Sequence, residues 1–282
     1  MSIVPGSMTA ILPRQQETVD FATQKYNFVK YECEEVKQTG TNTIYIDPPE
    51  NCFVNLYNSR LTITGKITKA DGSDLDYVKK PLSYSNVSII NCCLWTLFRN
   101  FCVFIGKGKS DILFQSYHGH YGLVNYIKTL KKEKRASGEV RNIGFSLDTV
   151  AGPAQTAMGQ GNQGITQRGQ WFFESKSVTF SGPLSFPAAQ ENFLLPNGID
   201  LVFEMDIASD SLNLLIPEGL IGANKQPIDD IYYKFKIENI AIDLCQVMLQ
   251  DQAFLGYQDA IAERKFSHFF TDYEIKVRYC DF

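Results

Sequence analysis

Two histidines, His118 and His120, have the spacing in this chain that is most suggestive of a metal site. On a β-strand, residues two apart point to the same side, and two imidazoles together with a carboxylate a few residues later can bind a transition metal. No acidic residue follows until Glu133, and the pair lies at the start of a segment with helical spacing, where residues two apart diverge. We therefore predict two polar residues at a strand-to-helix junction and no metal site.

Two glycine-rich segments lack the spacing of nucleotide-binding motifs. Residues 106–110 read GKGKS, whereas a phosphate loop requires GxxxxGK, then Ser or Thr, and then a helix. Residues 111–115 have the composition of a strand, which predicts a hairpin turn instead. The glycines of residues 158–164 follow no buried strand, and no GxSxG nucleophile elbow occurs. The sequence therefore predicts no catalytic residue, no cofactor and no enzyme activity.

The densest basic cluster lies at the C-terminal end of a candidate helix. It consists of Lys128, Lys131, Lys132, Lys134 and Arg135. Such a run can contact phosphates, but cations also complement the negative end of the helix dipole. We favour a solvated helix end, and we predict no specific nucleic-acid partner.

Composition and charge narrow the class of protein. The chain has 282 residues, of which 27 are Lys or Arg and 31 are Asp or Glu, so the formal net charge is −4. Nucleic-acid-binding domains usually carry a basic surplus. Aromatic residues make up 13% of the chain, which excludes a disordered protein and is enough for a large core. The chain has seven cysteines, which is an odd number, and no CxxC motif occurs. This pattern predicts reduced thiols in an intracellular protein.

One apolar segment, residues 87–106, has the length of a membrane span. It carries Arg99 and Asn100, and a central arginine is costly in a lone membrane helix. Its period also changes, because Leu94 and Leu97 have helical spacing whereas the residues from 101 to 105 alternate. We predict a buried helical turn followed by a strand, and no membrane span. Residues 1–13 lack the pattern of a signal peptide.

The remaining pattern is that of a β protein with few helices. Strand-like composition or alternation occurs at residues 26–36, 42–46, 53–67, 111–115, 168–180, 199–207, 231–249 and 270–279. Two short helices are predicted. The first is at residues 117–135, where Tyr121, Val124 or Asn125, and residues 127–130 have helical spacing, and the second is at residues 251–264. We predict an all-β, eight-stranded jelly-roll sandwich with long loops. We also predict that residues 1–20 form a flexible arm and that residues 21–282 form a single domain with a mobile loop at residues 146–167.

Three stretches of the chain resemble a known family when they are taken in order. They are LTITGKITKADGSDL at residues 61–75, CLWTLFRNFCVFIG at 93–106 with YHGHYGLVNYIKTL after it, and LLPNGIDLVFEMDIASDSLNLLIP at 194–217 with YKFKIENIAIDLCQVML at 233–249. This set is similar to the N-terminal half of the major capsid proteins of Polinton (Maverick) elements and adintoviruses. The resemblance covers roughly residues 21–282 and is strongest at LPNGIDL and YKFKI.

The resemblance implies a structural protein of a virus shell. The family has a double jelly roll, forms trimers that act as pseudo-hexameric capsomers, and assembles with itself and other capsid proteins into an icosahedral virion inside the host cell, in the cytoplasm or the nucleus. The family's second jelly roll follows the position where this sequence stops, and residues 270–279 look like the last strand of the first one. The chain is then either a fragment of a double jelly roll or a standalone single one.

Three alternatives stay open at this point. The first is a minor, penton-type capsid protein with a single jelly roll that forms pentamers. The second is a domesticated host jelly roll that acts as a binding module. The third is a metal-dependent, cupin-like enzyme that uses His118 and His120.

Overall fold

Ten β-strands and five α-helices form the regular structure of the residues that the computed structural model describes. These residues are 23–75, 87–106, 112–116, 121–131, 138–149, 162–190, 192, 194–196, 198–208, 214–215 and 233–262. The predicted N-terminal arm, residues 1–20, and the predicted strand at residues 270–279 lie outside this part of the chain.

The strands form two antiparallel four-stranded sheets. In chain order they are β1 (Thr23–Glu32), β2 (Thr41–Ile46), β3 (Phe53–Lys69), β4 (Ser88–Ile89), β5 (Phe98–Gly106), β6 (Ile112–Ser116), β7 (Val178–Pro183), β8 (Asp200–Ile207), β9 (Leu214–Leu215) and β10 (Tyr233–Leu249). The first sheet has the order β1-β10-β3-β7 and the second the order β2-β8-β5-β6. The two-residue strands β4 and β9 pair with each other.

This strand order is that of a jelly roll. The chain passes repeatedly from one sheet to the other, and the first strand pairs with the last, so that Tyr26 lies opposite Val247. Eight antiparallel strands arranged in two interleaved sheets define the jelly-roll sandwich, and the predicted fold class is confirmed. Among the described residues, the last strand of the sandwich is β10, and the last strand predicted at residues 270–279 lies outside them.

The core lies between the two sheets, because one side of each strand is apolar. In β8, Leu201, Phe203 and Met205 are buried and alternate with more polar residues, as the sequence predicted. The facing sheet contributes Leu61, Ile63, Ile240, Ile242 and Leu244. Complete burial of one such side chain contributes about 1.5–3 kcal/mol. The sandwich is therefore held mainly by apolar contact between the sheets.

The apolar segment at residues 87–106 folds as predicted, as a helical turn followed by a strand. Helix α1 (Cys93–Thr96) leads into β5, and its residue Leu94 is buried. The backbone of Cys92 has a positive φ of 57° just before the helix, and its N–H donates to the carbonyl oxygen of Gly144 at 3.1 Å. Within the described ranges, no helix is long and apolar enough to cross a membrane.

Four further helices lie outside the sheets. They are α2 (Tyr121–Lys131), α3 (Gly138–Asn142), α4 (Gln163–Trp171) and α5 (Asp251–Ala262). Helices α2 and α5 were predicted, whereas α3 was not. The strand predicted at residues 168–180 is wrong at its start, because residues 168–171 belong to α4 and the strand β7 begins only at Val178. The side chain of Asn162 caps α4 by accepting from the N–H groups of Gly164 and Ile165.

The predicted loop at residues 146–167 is described only at its two ends, since residues 150–161 lie outside the described ranges. At one end Ser146 is buried. At the other end, residues 163–167 belong to α4.

Candidate interaction surfaces

The histidine pair and the glycine-rich segments fall almost entirely outside the described residues. This holds for His118 and His120, for residues 107–110 and for residues 158–161, while Gly106 is the last residue of β5. Where side chains are described, no group of three or more His, Cys, Asp or Glu residues is placed to hold a metal ion. The prediction that His118 and His120 form no metal site therefore stays a prediction.

The basic run is described in part. Lys128 and Lys131 lie in the last turn of α2, where cations stabilise the end of a helix, and Lys132, Lys134 and Arg135 follow outside the described ranges. Lys131 is exposed to solvent, but Lys128 is half-buried, and this burial lowers the pKa of its ammonium group. The two lysines therefore have different surroundings, and only Lys131 matches the solvated helix end that was predicted.

The part of the chain that the structure describes contains six cysteines, all with free thiols. Four of them are buried, and burial raises the pKa of Cys245 to about 11 and that of Cys93 well above its ordinary value. Buried thiols with raised pKa values are poor nucleophiles. Neither cysteine is a candidate for catalysis.

Strand β1 forms one edge of the first sheet and exposes aromatic residues. Tyr26 and Phe28 are 46% and 60% exposed. They lie opposite Val247 and Cys245 on the outer face of the sheet, the face that points away from the core. In the described part of the sheet β1 has β10 as its only neighbour, and the free edge of a strand can accept a further strand. This is one surface at which a subunit contact can form.

Helix α5 covers a second apolar cluster on the same outer face. Phe53 packs edge-on against Phe254 and Tyr257, with ring centroids 5.8 and 4.6 Å apart. The hydroxyl group of Tyr257 donates to the carbonyl oxygen of Leu194 at 2.9 Å, and burial raises its pKa well above its ordinary value. The helix thus closes the outer face beside β1 and shields Phe53 and Val247 from water.

Helix α2 packs against α1 through one face of the helix. The buried residues are Tyr121, Gly122, Asn125 and Thr129, whereas Leu123 and Ile127 are 55% and 43% exposed. The helix predicted from the spacing of Tyr121, Val124 or Asn125, and residues 127–130 is therefore confirmed, and its buried face contains Tyr121 and Asn125. A Cβ atom on Gly122 would lie 2.8 Å from the Cα atom of Thr96, which shows how closely the two helices approach. This close contact buries the face around Gly122 and turns Leu123 and Ile127 to the surface.

A buried arginine, Arg168, joins three separate segments, and no sequence pattern predicted this role. Its side chain is 1% exposed. Nε donates to the carbonyl oxygen of Ile89 at 2.9 Å, and one terminal nitrogen donates to that of Ser146 at 2.8 Å. The other terminal nitrogen lies 3.0 Å from Oδ1 of Asp148. Arg168 thereby fixes α4 to β4 and to the first residues of the predicted loop.

A cavity of about 570 Å³ lies between β3, α2 and the segment that follows β7. Tyr57, Arg60, Trp95, Lys128 and Leu184 form part of its wall. Its size is within the range of pockets that bind small molecules. Nothing in the local sequence marks this cavity, because its walls come from four segments distant in the chain.

Comparison with solved structures shows that the fold of this chain is similar to that of a virophage protein. No protein-family model matches the sequence, and no curated protein matches it. Among solved structures, the cryo-EM structure of the Sputnik virophage at 3.5 Å resolution contains a similar chain, with a TM-score of 0.53 and 9% sequence identity. The match covers 82% of this chain and 49% of the virophage chain, so the chain spans about half the length of the structure it matches. At this identity the similarity establishes the jelly-roll fold.

Proposed function

We propose that this chain is a structural capsid protein, a jelly-roll subunit that assembles with copies of itself and with other capsid proteins into the shell of a virion. The observation that carries the proposal is the complete eight-stranded sandwich, whose fold matches a chain of the Sputnik virophage over 82% of this protein. No catalytic step is part of the proposed function.

The source that we propose is a Polinton-like or adintovirus-like element. This finer assignment rests on the ordered resemblance of residues 61–75, 93–106, 194–217 and 233–249 to the major capsid proteins of those elements. The positions of these four segments in the fold are consistent with this assignment. They supply parts of β3, β5, β8 and β10, which are the central strands of the two sheets.

The double jelly-roll architecture of the resembling family also belongs to this proposal. The virophage chain is about twice as long as the part that this chain matches. A second jelly roll in the complete protein would give each subunit two sandwiches, and three subunits would give a pseudo-hexameric capsomer.

Self-assembly is the direct test. The purified chain should form particles or oligomers much heavier than its 31.9 kDa monomer, measured by mass photometry and observed by negative-stain electron microscopy. The substitution Phe203→Asp places a charge in the core and should abolish both the fold and the regular particles, which tests whether assembly requires the folded sandwich. A folded monomer at every protein concentration, salt concentration and pH tested would contradict a self-assembling capsid protein.

The stoichiometry of the oligomers separates the proposed role from the penton alternative. Trimers, or hexagonal sheets built from them, support a major capsid protein. Pentamers would instead assign the chain to the vertices of the shell, because five-fold contacts occur only there in an icosahedral lattice.

A further inference from the structure

We propose that the cavity between β3, α2 and the segment after β7 is a binding site for a small ligand that carries an oxyanion, either a carboxylate or a phosphate. The inference is independent of self-assembly, since it rests on the walls of one subunit. The lining residues come from the bend of β3, from α1, from α2 and from the residues after β7.

The charge of the walls favours an anion. Arg60 and Lys128 both line the cavity, and none of the described lining residues is acidic. The burial that lowers the pKa of Lys128 reflects the cost of keeping its charge away from water. An oxyanion in the cavity would offset this cost by accepting charge-assisted hydrogen bonds from both side chains.

The indole group of Trp95 supplies a further donor. Its ring forms part of the cavity wall, and the residue is only 3% exposed. The Nε1–H group is buried and has no hydrogen-bond acceptor among the described residues. A buried N–H group without a partner costs about 1–3 kcal/mol, so an acceptor atom bound in the cavity would remove this penalty.

Other parts of the wall are fixed in place before any ligand arrives. The Ser59 hydroxyl donates to the carbonyl oxygen of Asn55 at 2.7 Å and accepts from the N–H of Cys245 at 2.9 Å. The Thr129 hydroxyl donates to the carbonyl oxygen of Asn125 at 2.9 Å. These two hydroxyl groups are engaged within the protein, whereas the Trp95 Nε1–H group has no acceptor among the described residues. Tyr57 and Leu184 add apolar surface for the body of the ligand.

The test follows the indole N–H signals of the intact chain by ¹H–¹⁵N NMR during titration with sodium phosphate and, separately, with sodium succinate. The chain has two tryptophans, so Trp171 serves as an internal reference, and Trp171→Phe assigns the two signals. We expect the Trp95 signal to move saturably with at least one probe while the Trp171 signal stays in place. Saturation by phosphate alone would indicate a phosphate-bearing ligand, and saturation by succinate alone a carboxylate.

Two substitutions and one control link the signal to the cavity. Arg60→Gln and Lys128→Gln should each raise the dissociation constant about 10-fold or more, the effect of losing one hydrogen bond from a charged group. Lys131→Gln removes the same charge from the exposed side of α2 and should change the dissociation constant less than about 2-fold. Arg60 is exposed, so its variant remains informative if Lys128→Gln fails to fold.

Three results would overturn the proposal. The first is a Trp95 signal that does not move with either probe up to about 10 mM, beyond the range of a weak specific site. The second is an equal shift with sodium chloride at matched ionic strength. The third is a shift that is the same in Arg60→Gln as in the unmodified chain, which would show that the anion binds elsewhere.

Discussion

Replacing Arg168 with methionine should destabilise the sandwich strongly, because this side chain is the one buried cation that joins α4 to two other segments of the described structure. Methionine keeps most of the volume and removes the charge. The change leaves the carbonyl oxygens of Ile89 and Ser146 without their arginine donor and leaves Asp148 without its cation. The side chain of Asn91 still donates to the carbonyl oxygen of Ser146 at 2.8 Å, so the loss of the arginine donor affects the carbonyl oxygen of Ile89 most.

The magnitude follows from these contacts. Removing one partner of a buried ion pair costs about 3–5 kcal/mol. The Asp148 side chain is 36% exposed, which lets water replace part of the lost interaction and reduces the electrostatic share. We therefore expect a loss of about 3 kcal/mol in the free energy of unfolding, equivalent to roughly 6–12 °C in Tm for a domain of this size.

Urea unfolding followed by tryptophan fluorescence measures this loss, with Arg141→Met as the matched control. Arg141 lies in α3 and is exposed, so its replacement should change the free energy of unfolding by less than about 0.5 kcal/mol. A loss of less than about 1 kcal/mol for Arg168→Met would refute the reasoning, since it would mean that the buried contacts add little to stability.

Three further predictions concern other parts of the fold. Gly122→Ala should cost about 1–3 kcal/mol because its Cβ would meet the backbone of α1. Gly256→Ala, which has open space around it in α5, should stabilise by up to about 1 kcal/mol, so the two urea midpoints should move in opposite directions. Tyr257→Phe should lose about 1 kcal/mol with the hydrogen bond of its hydroxyl group, and an unchanged midpoint would contradict this. Hydrogen bonds from Thr41 and Asn100 lower the pKa of Asp206 below 3.8, so it stabilises the fold above that pH and the stabilisation is lost as the pH falls through the lowered pKa. When the pH falls from about 6 to about 3, the free energy of unfolding should therefore decrease less for the Asp206→Asn variant than for the unmodified chain. An equal decrease in both proteins would exclude this role.

The strands were predictable from the sequence where one face is buried and the other is solvated. Strands β2, β3, β8 and β10 lie within two residues of their predicted positions, because alternation records which side of a strand meets the core. The change of period within residues 87–106 likewise located both α1 and β5.

The features that the sequence did not reveal depend on tertiary contacts. Helix α4 has a polar, glycine-containing sequence without a clear apolar face, and its one local signal was the capping residue Asn162. Arg168 is buried because its partners come from distant segments. The buried face of α2 is set by the close approach at Gly122. The cavity, too, is formed by residues that are far apart in the chain.

The pairing of the first strand with the last has a consequence for biosynthesis. Tyr26 and Val247 lie opposite each other although about 220 residues separate them in the chain. Strand β10, which lies between β1 and β3, is translated after every other strand of the sandwich. At about 5–20 residues per second, a ribosome needs roughly 10–45 s to make the intervening chain. During that time β1 has no partner in its sheet, and its aromatic residues are open to other chains. A cell that makes many copies at once must therefore delay contact between nascent chains, and we expect chaperone binding to the N-terminal strands to limit the yield of folded subunits.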